Sequence, residues 1–382
     1  MNNLLPFKLG EITNNFNNLR IPLSMKQRES IAKVYRYYGA QGIVDYVDDY
    51  LFDGDYILVA EDGENLKSQK NNVCNYVNGK FWVNNHAHII NAKKGHDTRY
   101  LYYKLNLVNF RNYVTGSAQP KLTKDNLNSI LLYIHEGEDQ KRIGDILSAL
   151  DTKIELNNQI NAELEKMAKA IYDYWFVQFD FPDANGKPYK SSGGKMIWNE
   201  QLKREIPNEW LVKTIGEYAE VKKGDLITEK DAKKGDIKVV AAGIGFSYFH
   251  SEHNRDENTI TISGSGANAG FINFWREPIF ASDCITVRGK NDADTILILH
   301  HLKFIQNHIL SQATGSAQPH VYPSDIKILN YAIPSDSLIS EFSRLVIPMN
   351  KRIANNLKEN QELVKIRDWL LPMLMNGQVK VL

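Results

Sequence analysis

The chain has 382 residues, of which 43% are hydrophobic and 24% are charged, so it has enough apolar material for two or more globular domains. Its two cysteines, Cys74 and Cys284, exclude a disulfide scaffold and a zinc or iron–sulfur site built from cysteine. The formal net charge of +1 excludes a strongly basic nucleic-acid binder, although a basic face could be balanced by acid elsewhere. No apolar run is long enough for a membrane helix, and the first residues lack a signal-peptide pattern, so a cytoplasmic location is expected.

Residues 1–135 are predicted to form the first of two β-rich α/β domains. They are rich in Gly, Asn, Tyr and β-branched residues, and short alternating runs such as 56–59 are typical of strands between turns. The segment contains 16 Lys and Arg against 12 Asp and Glu, which gives it a net charge of +4. It also contains the sequence Thr-Gly-Ser-Ala-Gln-Pro at residues 115–120.

Residues 136–185 are predicted to form a long helix followed by a linker. Apolar side chains recur at alternating steps of four and three, and the repeat continues through Asn157 and Asn161. A heptad stripe with two polar layers is typical of a helix that pairs with another helix. The segment has a net charge of −6. Five aromatic residues near its end should pack against a domain or a partner, with simple core packing as the alternative. They are Tyr172, Tyr174, Trp175, Phe176 and Phe179.

Residues 186–335 repeat the plan of the first domain. The sequence Thr-Gly-Ser-Ala-Gln-Pro recurs at residues 314–319, and this identity is far too long to be a chance match. Ser263-Gly264-Ser265-Gly266 stands where the first domain has Ala60-Glu61-Asp62-Gly63. The segment has a net charge of only +1, so any contact with nucleic acid must depend on local clusters of lysine.

Residues 336–382 are predicted to form the second long helix, and its stripe contains Asn356 and Asn360. Its net charge of +2 complements the acidic first helix, which favours pairing of the two. An antiparallel pair would place Asn157 opposite Asn360 and Asn161 opposite Asn356, and buried polar layers of this kind fix the register. Parallel pairing would also align the asparagines. Packing of each helix on its own domain is a further alternative.

The predicted fold class is therefore α/β, with two β-rich α/β domains separated by a long antiparallel two-helix coiled coil and related by a pseudo-two-fold internal repeat. The heptad stripe from Ile143 to Trp175 spans about 48 Å at ~1.5 Å per residue, which matches roughly 14 base pairs of duplex DNA. Two similar domains held on a rigid spacer suit a bipartite linear target, because the two contacts add while the intervening sequence is ignored.

Three segments of the first domain carry a resemblance to a known family, namely residues 38–43, 51–63 and 81–88. Together with the repeated Thr-Gly-Ser-Ala-Gln-Pro and the paired helices, they resemble the specificity subunit of a type I restriction-modification system over essentially the whole chain. The resemblance implies that each globular domain is a target-recognition domain that reads one half of an interrupted double-stranded DNA sequence. It also implies that two methyltransferase subunits bind the chain and that ATP-dependent restriction subunits join the complex.

The candidate DNA-binding residues fall into two sets. The repeated loop is identical in two domains that should read different sequences, so it is better suited to phosphates than to bases, with a shared structural turn as the alternative. The candidates in and beside this loop are Gly116, Ser117, Gln119, Lys121, Gly315, Ser316, Gln318 and His320. Base readout is assigned to unlike residues in the preceding loops. These are Arg20, Lys26, Arg28 and Arg36 in the first domain, and Lys230, His250, His253 and Arg255 in the second.

The sequence offers no motif for chemistry of its own. The chain contains no Pro-Pro dipeptide, which an amino-methyltransferase loop requires, and residues 192–196 lack the first glycine and the hydroxyl of an ATP-binding loop. His86 and His88 lack the neighbouring carboxylates of a metal site, so no metal and no cofactor is predicted. The chain is therefore interpreted as a non-catalytic subunit. The alternative function is a coiled-coil scaffold that presents two ligand-binding domains to non-DNA partners.

Overall fold

The structure is a computed structural model that describes residues 4–116, 119–312 and 319–381. The chain divides into two compact units. Unit 1 consists of Met1–Leu156 and Asn360–Leu382, and unit 2 is the continuous segment Asn157–Glu359. Each unit contains one globular domain and a part of each long helix. Among the described helices, none combines the length and the apolar character that a membrane span requires.

The first domain is built on short strands that form one pair and two four-stranded sheets. In chain order the described strands are β1 (Leu5–Lys8), β2 (Thr13–Asn15), β3 (Tyr35–Gly39), β4 (Gly42–Val47), β5 (Phe52–Asp53), β6 (Tyr56–Ala60), β7 (Cys74–Val77), β8 (Lys80–Val83), β9 (Ala87–Ala92) and β10 (Leu131–Ile134). β1 pairs with β10, and the two sheets have the strand orders β2-β9-β6-β7 and β4-β3-β8-β5. Strands β3 and β8 run parallel, and their neighbours run antiparallel.

Five short helices connect these strands in the described part of the first domain. They are α1 (Leu9–Ile12), α2 (Met25–Glu29), α3 (Asn65–Ser68), α4 (Thr98–Leu105) and α5 (Lys124–Asn128). Side chains from α1, α4 and one face of the β6 sheet form the main core, in which Leu9, Ile57 and Tyr100 are fully buried. A second apolar cluster joins the two sheets through Leu58 and Phe81. The first domain therefore has an apolar layer on both sides of the β6 sheet.

The first long helix, α6, covers Gly137–Tyr172 and continues into a π-helical turn over Asp173–Val177. Its 36 residues give it a length of about 54 Å at ~1.5 Å per residue. The helix contributes residues to both units, because the division of the chain falls after Leu156.

The second domain repeats the sheet topology of the first. Its described strands are β11 (Met196–Asn199), β12 (Arg204–Pro207), β13 (Leu211–Thr214), β14 (Glu220–Lys223), β15 (Ile237–Val240), β16 (Phe246–His250), β17 (Thr259–Ser263), β18 (Ile272–Trp275), β19 (Ile279–Ala281), β20 (Cys284–Arg288) and β21 (Asn330–Ile333). β13 pairs with β21 as β1 pairs with β10, and the order β14-β20-β17-β18 matches β2-β9-β6-β7. β15 and β19 form the parallel pair in the place of β3 and β8.

The second domain differs from the first in several elements, and its β16-β15-β19 sheet has three strands where the first domain has four. The hairpin β11–β12 precedes the repeated strands, and α8 (Asp292–Phe304) is longer than its counterpart α4. The other described helices are α7 (Ile215–Tyr218), α9 (Gln306–Gln312) and α10 (Pro323–Lys327). The shared topology confirms that the fold is duplicated.

The second long helix, α11, covers Asp336–Met375, and it runs antiparallel to α6 in both units. In unit 2, Asn157 donates to Glu359 at 2.9 Å and Asn161 accepts from Asn356 at 2.8 Å, so the partners move backwards as α6 advances. In unit 1, Arg367 donates to Asp151 at 2.7 Å. The antiparallel prediction is confirmed, and so is the pairing of Asn161 with Asn356.

The predicted heptad stripe is the buried face of each helix. Ile143, Leu147, Asn157 and Asn161 are buried on α6, and Phe342, Val346, Ile353, Asn356, Asn360 and Leu374 are buried on α11. Leu374 also belongs to the core of the first domain. The helices therefore pair with each other and also pack on domains, so two arrangements that the sequence offered as alternatives occur together.

The aromatic cluster at the end of α6 lies in the core of unit 2. Trp175, Phe176 and Phe179 are buried and contact Trp210 or Phe342, whereas Tyr174 is exposed. Most of the cluster therefore packs in the core of unit 2, which is the simple core packing given as the alternative in the sequence analysis.

Candidate DNA interface

Three turns meet at one end of the first domain. Gly63, just after β6, donates its backbone N–H to the carbonyl of Pro120 in the repeated loop at 3.2 Å. The neighbouring residues Asp62 and Lys121 form an isolated antiparallel bridge. The exposed side chain of Gln41, from the β3–β4 turn, lies 3.8 Å from the place that a Cβ would take on Gly63. The three turns together are called the turn cluster of the first domain.

The same three turns meet in the second domain. Gly266 donates to the carbonyl of Pro319 at 3.0 Å, and Ser265 forms an isolated bridge with His320. The β15–β16 turn is attached by Ser263, whose hydroxyl donates to the carbonyl of Gly243 at 3.1 Å. These contacts define the turn cluster of the second domain. Because these contacts match, Pro319 and His320 occupy the same place in the second domain as Pro120 and Lys121 in the first.

The repeated loop has a backbone shape that depends on glycine. Gly116 has a φ of +85°, and a Cβ on it would lie 2.4 Å from the carbonyl oxygen of Gln119. Gln119 and Lys121 are exposed at the edge of the loop. His320 stacks on the exposed ring of Tyr322, with 6.0 Å between ring centroids. Four predicted residues of the loop, Ser117, Gly315, Ser316 and Gln318, lie outside the described residues.

Cations gather around Glu61 beside the first loop. Arg20 donates to Glu61 at 2.6 Å, and the Lys121 ammonium lies 3.5 Å from the same carboxylate. Burial alone would raise the pKa of Glu61, but the hydrogen bond from Arg20 and the nearby Lys121 hold that pKa below its ordinary value. Glu61 therefore stays ionised and anchors two cations at the base of the loop.

The structure separates the arginines and the lysine that were predicted to read bases in the first domain. Arg20 belongs to the turn cluster, but it also donates to the carbonyls of Asn85 and Ala87, so its guanidinium is largely engaged within the domain. Arg28 forms an ion pair with Asp45 and lies over the ring of Tyr37. Lys26 is exposed on α2, and Arg36 donates to the carbonyl of Asn78 at 2.6 Å. Only Arg20 of the four lies beside the repeated loop.

The predicted base-reading residues of the second domain also lie apart from its turn cluster. His250 is 5% exposed and accepts a hydrogen bond from the backbone of Lys233 at 3.0 Å, so it is an interior residue and not a surface group. Arg255 donates to Thr286 and to two backbone carbonyls, so it too has a structural role. Lys230 and His253 are exposed in loops. Both side chains are held by hydrogen bonds inside the domain, and their assignment to DNA stays a prediction.

Sequence reasoning missed one exposed polar pair in the first turn cluster. His86 Nδ1 lies 2.7 Å from a carboxylate oxygen of Asp62, and the His86 side chain is 52% exposed. The backbone N–H of Glu61 donates to the carbonyl of His86 at 2.9 Å, which fixes the pair beside the loop. The only signal in the sequence was that the first domain has Asp62 where the second domain has Ser265.

The histidines do not form a metal centre. His88 is buried, and its Nε2 donates to the carbonyl of Leu122 at 2.8 Å. Burial lowers the pKa of His88, so the ring is neutral. Throughout residues 4–116, 119–312 and 319–381, no group of three or more His, Cys, Asp or Glu side chains could hold a metal ion.

Comparison with known proteins defines the class to which this arrangement belongs. The family described as the type I restriction modification DNA specificity domain matches residues 2–166 and 207–360. The MjaIX specificity subunit of Methanocaldococcus jannaschii, a type I restriction enzyme component, is 26% identical over 314 residues, which cover 76% of this chain and 71% of that protein. The HindI specificity subunit of Haemophilus influenzae is 24% identical over 334 residues, 68% of this chain and 71% of that protein.

A crystal structure supports the fold independently. The type I restriction-modification S subunit from M. genitalium superposes with a TM-score of 0.66 at 18% identity, covering 98% of this chain and 97% of that chain. The chain therefore belongs to the family of type I restriction-modification DNA specificity subunits. It is the component that supplies DNA sequence specificity, and it is not itself a catalytic subunit.

Proposed function

We propose that each globular domain of this specificity subunit contacts one half of a bipartite DNA target through its turn cluster. The proposal is carried by the recurrence of one arrangement at one end of both domains, in which the turn after β6 or β17 is joined to the end of the repeated loop by the same backbone hydrogen bond and the same bridge. The target-recognition domains are assigned to residues 1–135 and 186–335. The helix regions are 136–185 and 336–382.

The repeated loop is proposed to contact phosphates in both half-sites. Its positive-φ glycine exposes backbone, and Gln119 and Lys121 add an amide and a cation that suit a phosphodiester. Contacts of this kind position the protein without reading sequence. The turns that differ between the domains would then read the bases.

The helix pair is proposed to set the spacing of the half-sites. α6 and α11 have 36 and 40 residues, and their antiparallel contacts fix one register. Two methyltransferase subunits are proposed to bind the specificity subunit, and ATP-dependent restriction subunits to join through the complex. Because the target is cellular DNA, the proposed location is the cytoplasm. A scaffold for non-DNA partners is not favoured, because the family is defined by DNA specificity.

Sequencing of methylated sites tests this proposal directly. Cells that lack other methyltransferases would express this chain with its methyltransferase partner, and the methylated positions should define two short sequences separated by a constant gap. Insertion of one heptad in each helix should widen the gap by roughly 3 base pairs, since seven residues add about 10.5 Å, and leave both half-sites unchanged. A continuous site, or a gap that ignores the insertion, would contradict the proposal.

A salt series adds a second test. The purified complex should lose DNA affinity steeply as salt rises, because each phosphate contact releases counterions. Binding that is absent even at ~50 mM salt would contradict a DNA-reading function.

A further inference from the structure

Among the positions at which the two turn clusters differ, one is half-buried in the first domain and buried in the second. Asp62 follows β6 in the first domain, and Ser265 follows β17 in the second, although both form the isolated bridge to the residue after the repeated loop. Asp62 is bound by His86 at 2.7 Å, whereas the hydroxyl of Ser265 donates to Asp283 at 2.8 Å. The two domains therefore share the backbone bridge at this place but carry different polar side chains there.

The chemistry of the Asp62–His86 pair is set by its hydrogen bond. An ionised carboxylate only accepts hydrogen bonds, so Nδ1 of His86 must carry the proton that joins the two side chains. The carboxylate of Asp62 therefore presents an acceptor to a ligand. The half-exposed ring of His86 presents a second acceptor, at Nε2, whenever the ring is neutral.

Acceptors at this place suit one class of base edge. In the major groove, adenine presents its N6 amino group and cytosine its N4 amino group, whereas guanine and thymine present oxygen at the corresponding positions. The repeated loop next to the pair is identical in the two domains and so carries no sequence information. A variable acceptor pair beside an invariant loop has the placement that base readout requires.

We propose that Asp62 and His86 form a base-reading pair that selects an adenine or a cytosine in the first half-site. The proposal rests on the proposed DNA-reading function and assigns specificity within it to two residues. In the second domain, the buried Ser265 and its partner Asp283 occupy the corresponding place, so a histidine–carboxylate pair does not form there.

The decisive experiment compares methylated sites for three variants of the first domain in complex with the methyltransferase partner. Asp62→Ser introduces the residue of the second domain, and His86→Ala removes the ring. The control is Asp48→Ser, an exposed carboxylate that lies roughly 20 Å from the hairpin turn because it follows the six-residue strand β4. Asp62→Ser and His86→Ala should relax or change one base of the first half-site and leave the second half-site intact. The control should change neither.

Affinity measurements give the expected size of the effect. One good pair of base contacts is worth about 1 to 3 kcal/mol, so discrimination between the preferred and the substituted base should fall between about 5-fold and about 150-fold. His86→Gln should retain part of the discrimination, since its amide nitrogen can hold Asp62 while its oxygen accepts. This variant also serves if His86→Ala fails to fold.

The outcomes separate this inference from the function on which it rests. An unchanged first half-site in both variants, with a bipartite pattern still present, would overturn the base-reading pair alone. An equal loss of affinity for every first half-site sequence, with thermal unfolding unchanged, would assign the pair to phosphates and also overturn it. Absence of a bipartite pattern in the unmodified complex would instead contradict the proposed function.

Discussion

The two domains share a sheet topology but fill the space between their sheets in different ways. In the first domain, Leu58 pairs with Ile89 across β6 and β9, and both side chains join an apolar cluster. In the second domain, the corresponding pair is Thr261 with Thr286. One backbone plan therefore supports an apolar layer in one copy and a hydrogen-bonded layer in the other.

The strand partners show how the polar layer is completed. Phe52 pairs with Phe81 of β8, is 3% exposed and stacks on that ring at 5.3 Å. Arg255 forms the corresponding bridge with Ile279 of β19 and donates to Thr286 at 3.1 Å. A polar cavity of about 300 Å³ lies beside Arg255. The comparison teaches that the half-buried Arg255 takes the bridge position of the buried Phe52, which neither its charge nor its place in a loop reveals.

The largest effect is expected when the first domain receives the residue of the second. Phe52→Arg would bury a cation among apolar side chains that offer no acceptor, and it should destabilise the domain by at least about 4 kcal/mol. Denaturation of the full chain, with hydrogen exchange followed in each domain, would show early opening of the first domain only. Phe52→Leu is the matched control, with an expected loss of about 1 kcal/mol. If Phe52→Arg did not lower the stability, the apolar cluster between the two sheets of the first domain would have to be accessible to water.

The reciprocal change should be milder because water reaches the polar cavity. Arg255→Met leaves Thr286 and the carbonyls of Asn254 and Lys223 without their donor, at an expected cost of about 2 to 3 kcal/mol. The second half-site of the methylated sequence should not change. If Arg255→Met changed the second half-site without altering the stability, Arg255 would be a DNA-contacting residue.

The helix pair provides a smaller test within unit 2. Asn356→Leu leaves Asn161 without its partner in the buried layer and should cost about 1 to 2 kcal/mol. The double variant Asn161→Leu with Asn356→Leu should recover most of this loss, because two apolar residues replace a matched polar pair. A double-mutant cycle measured by urea denaturation would show a large coupling. Simple additivity of the two losses would indicate that the asparagines act independently.

The smallest expected effect is a difference in acid sensitivity. The folded-state pKa of Glu61 lies below its ordinary value, so Glu61 stabilises the first domain above about pH 4.5 and this contribution disappears as the pH falls through the lowered pKa. The second domain has Gly264 at the corresponding place. Glu61→Gln should therefore flatten the acid side of the stability profile for amides of the first domain, as followed by hydrogen exchange. Identical profiles of stability against pH in the unmodified protein and in Glu61→Gln would show that Glu61 does not contribute to acid sensitivity.

The sequence predicts the two long helices well because the heptad spacing can be read from neighbouring residues, and because the residues with this spacing are the ones that become buried. The stripe through Asn161 and Asn356 describes the buried face, and the repeat of six identical residues establishes the duplicated domains. The pairing of the two helices with each other is also anticipated, since opposite net charges and matched polar layers favour it, whereas these features are compatible with either direction.

The candidate interface is harder to predict because it joins residues that are far apart in the chain. Asp62 and His86 are separated by a whole hairpin, and no spacing rule connects them. Charge alone did not reveal that Arg255 and His250 have hydrogen-bond partners inside the domain. Exposed charge and structural charge are indistinguishable until the topology shows which side chains meet acceptors inside the domain.

The division of the chain into units has a consequence for biosynthesis. Unit 2 is one uninterrupted segment, whereas unit 1 requires the last part of α11, which brings Leu374 and Met375 to the core beside Ile143 and Leu147. A ribosome therefore delivers every residue of unit 2 before it delivers the closing helix of unit 1. During synthesis the apolar side of the first domain therefore stays uncovered for longer than that of the second domain, although the first domain is made first. Premature termination within α11 would thus deprive the earlier-made domain of its core.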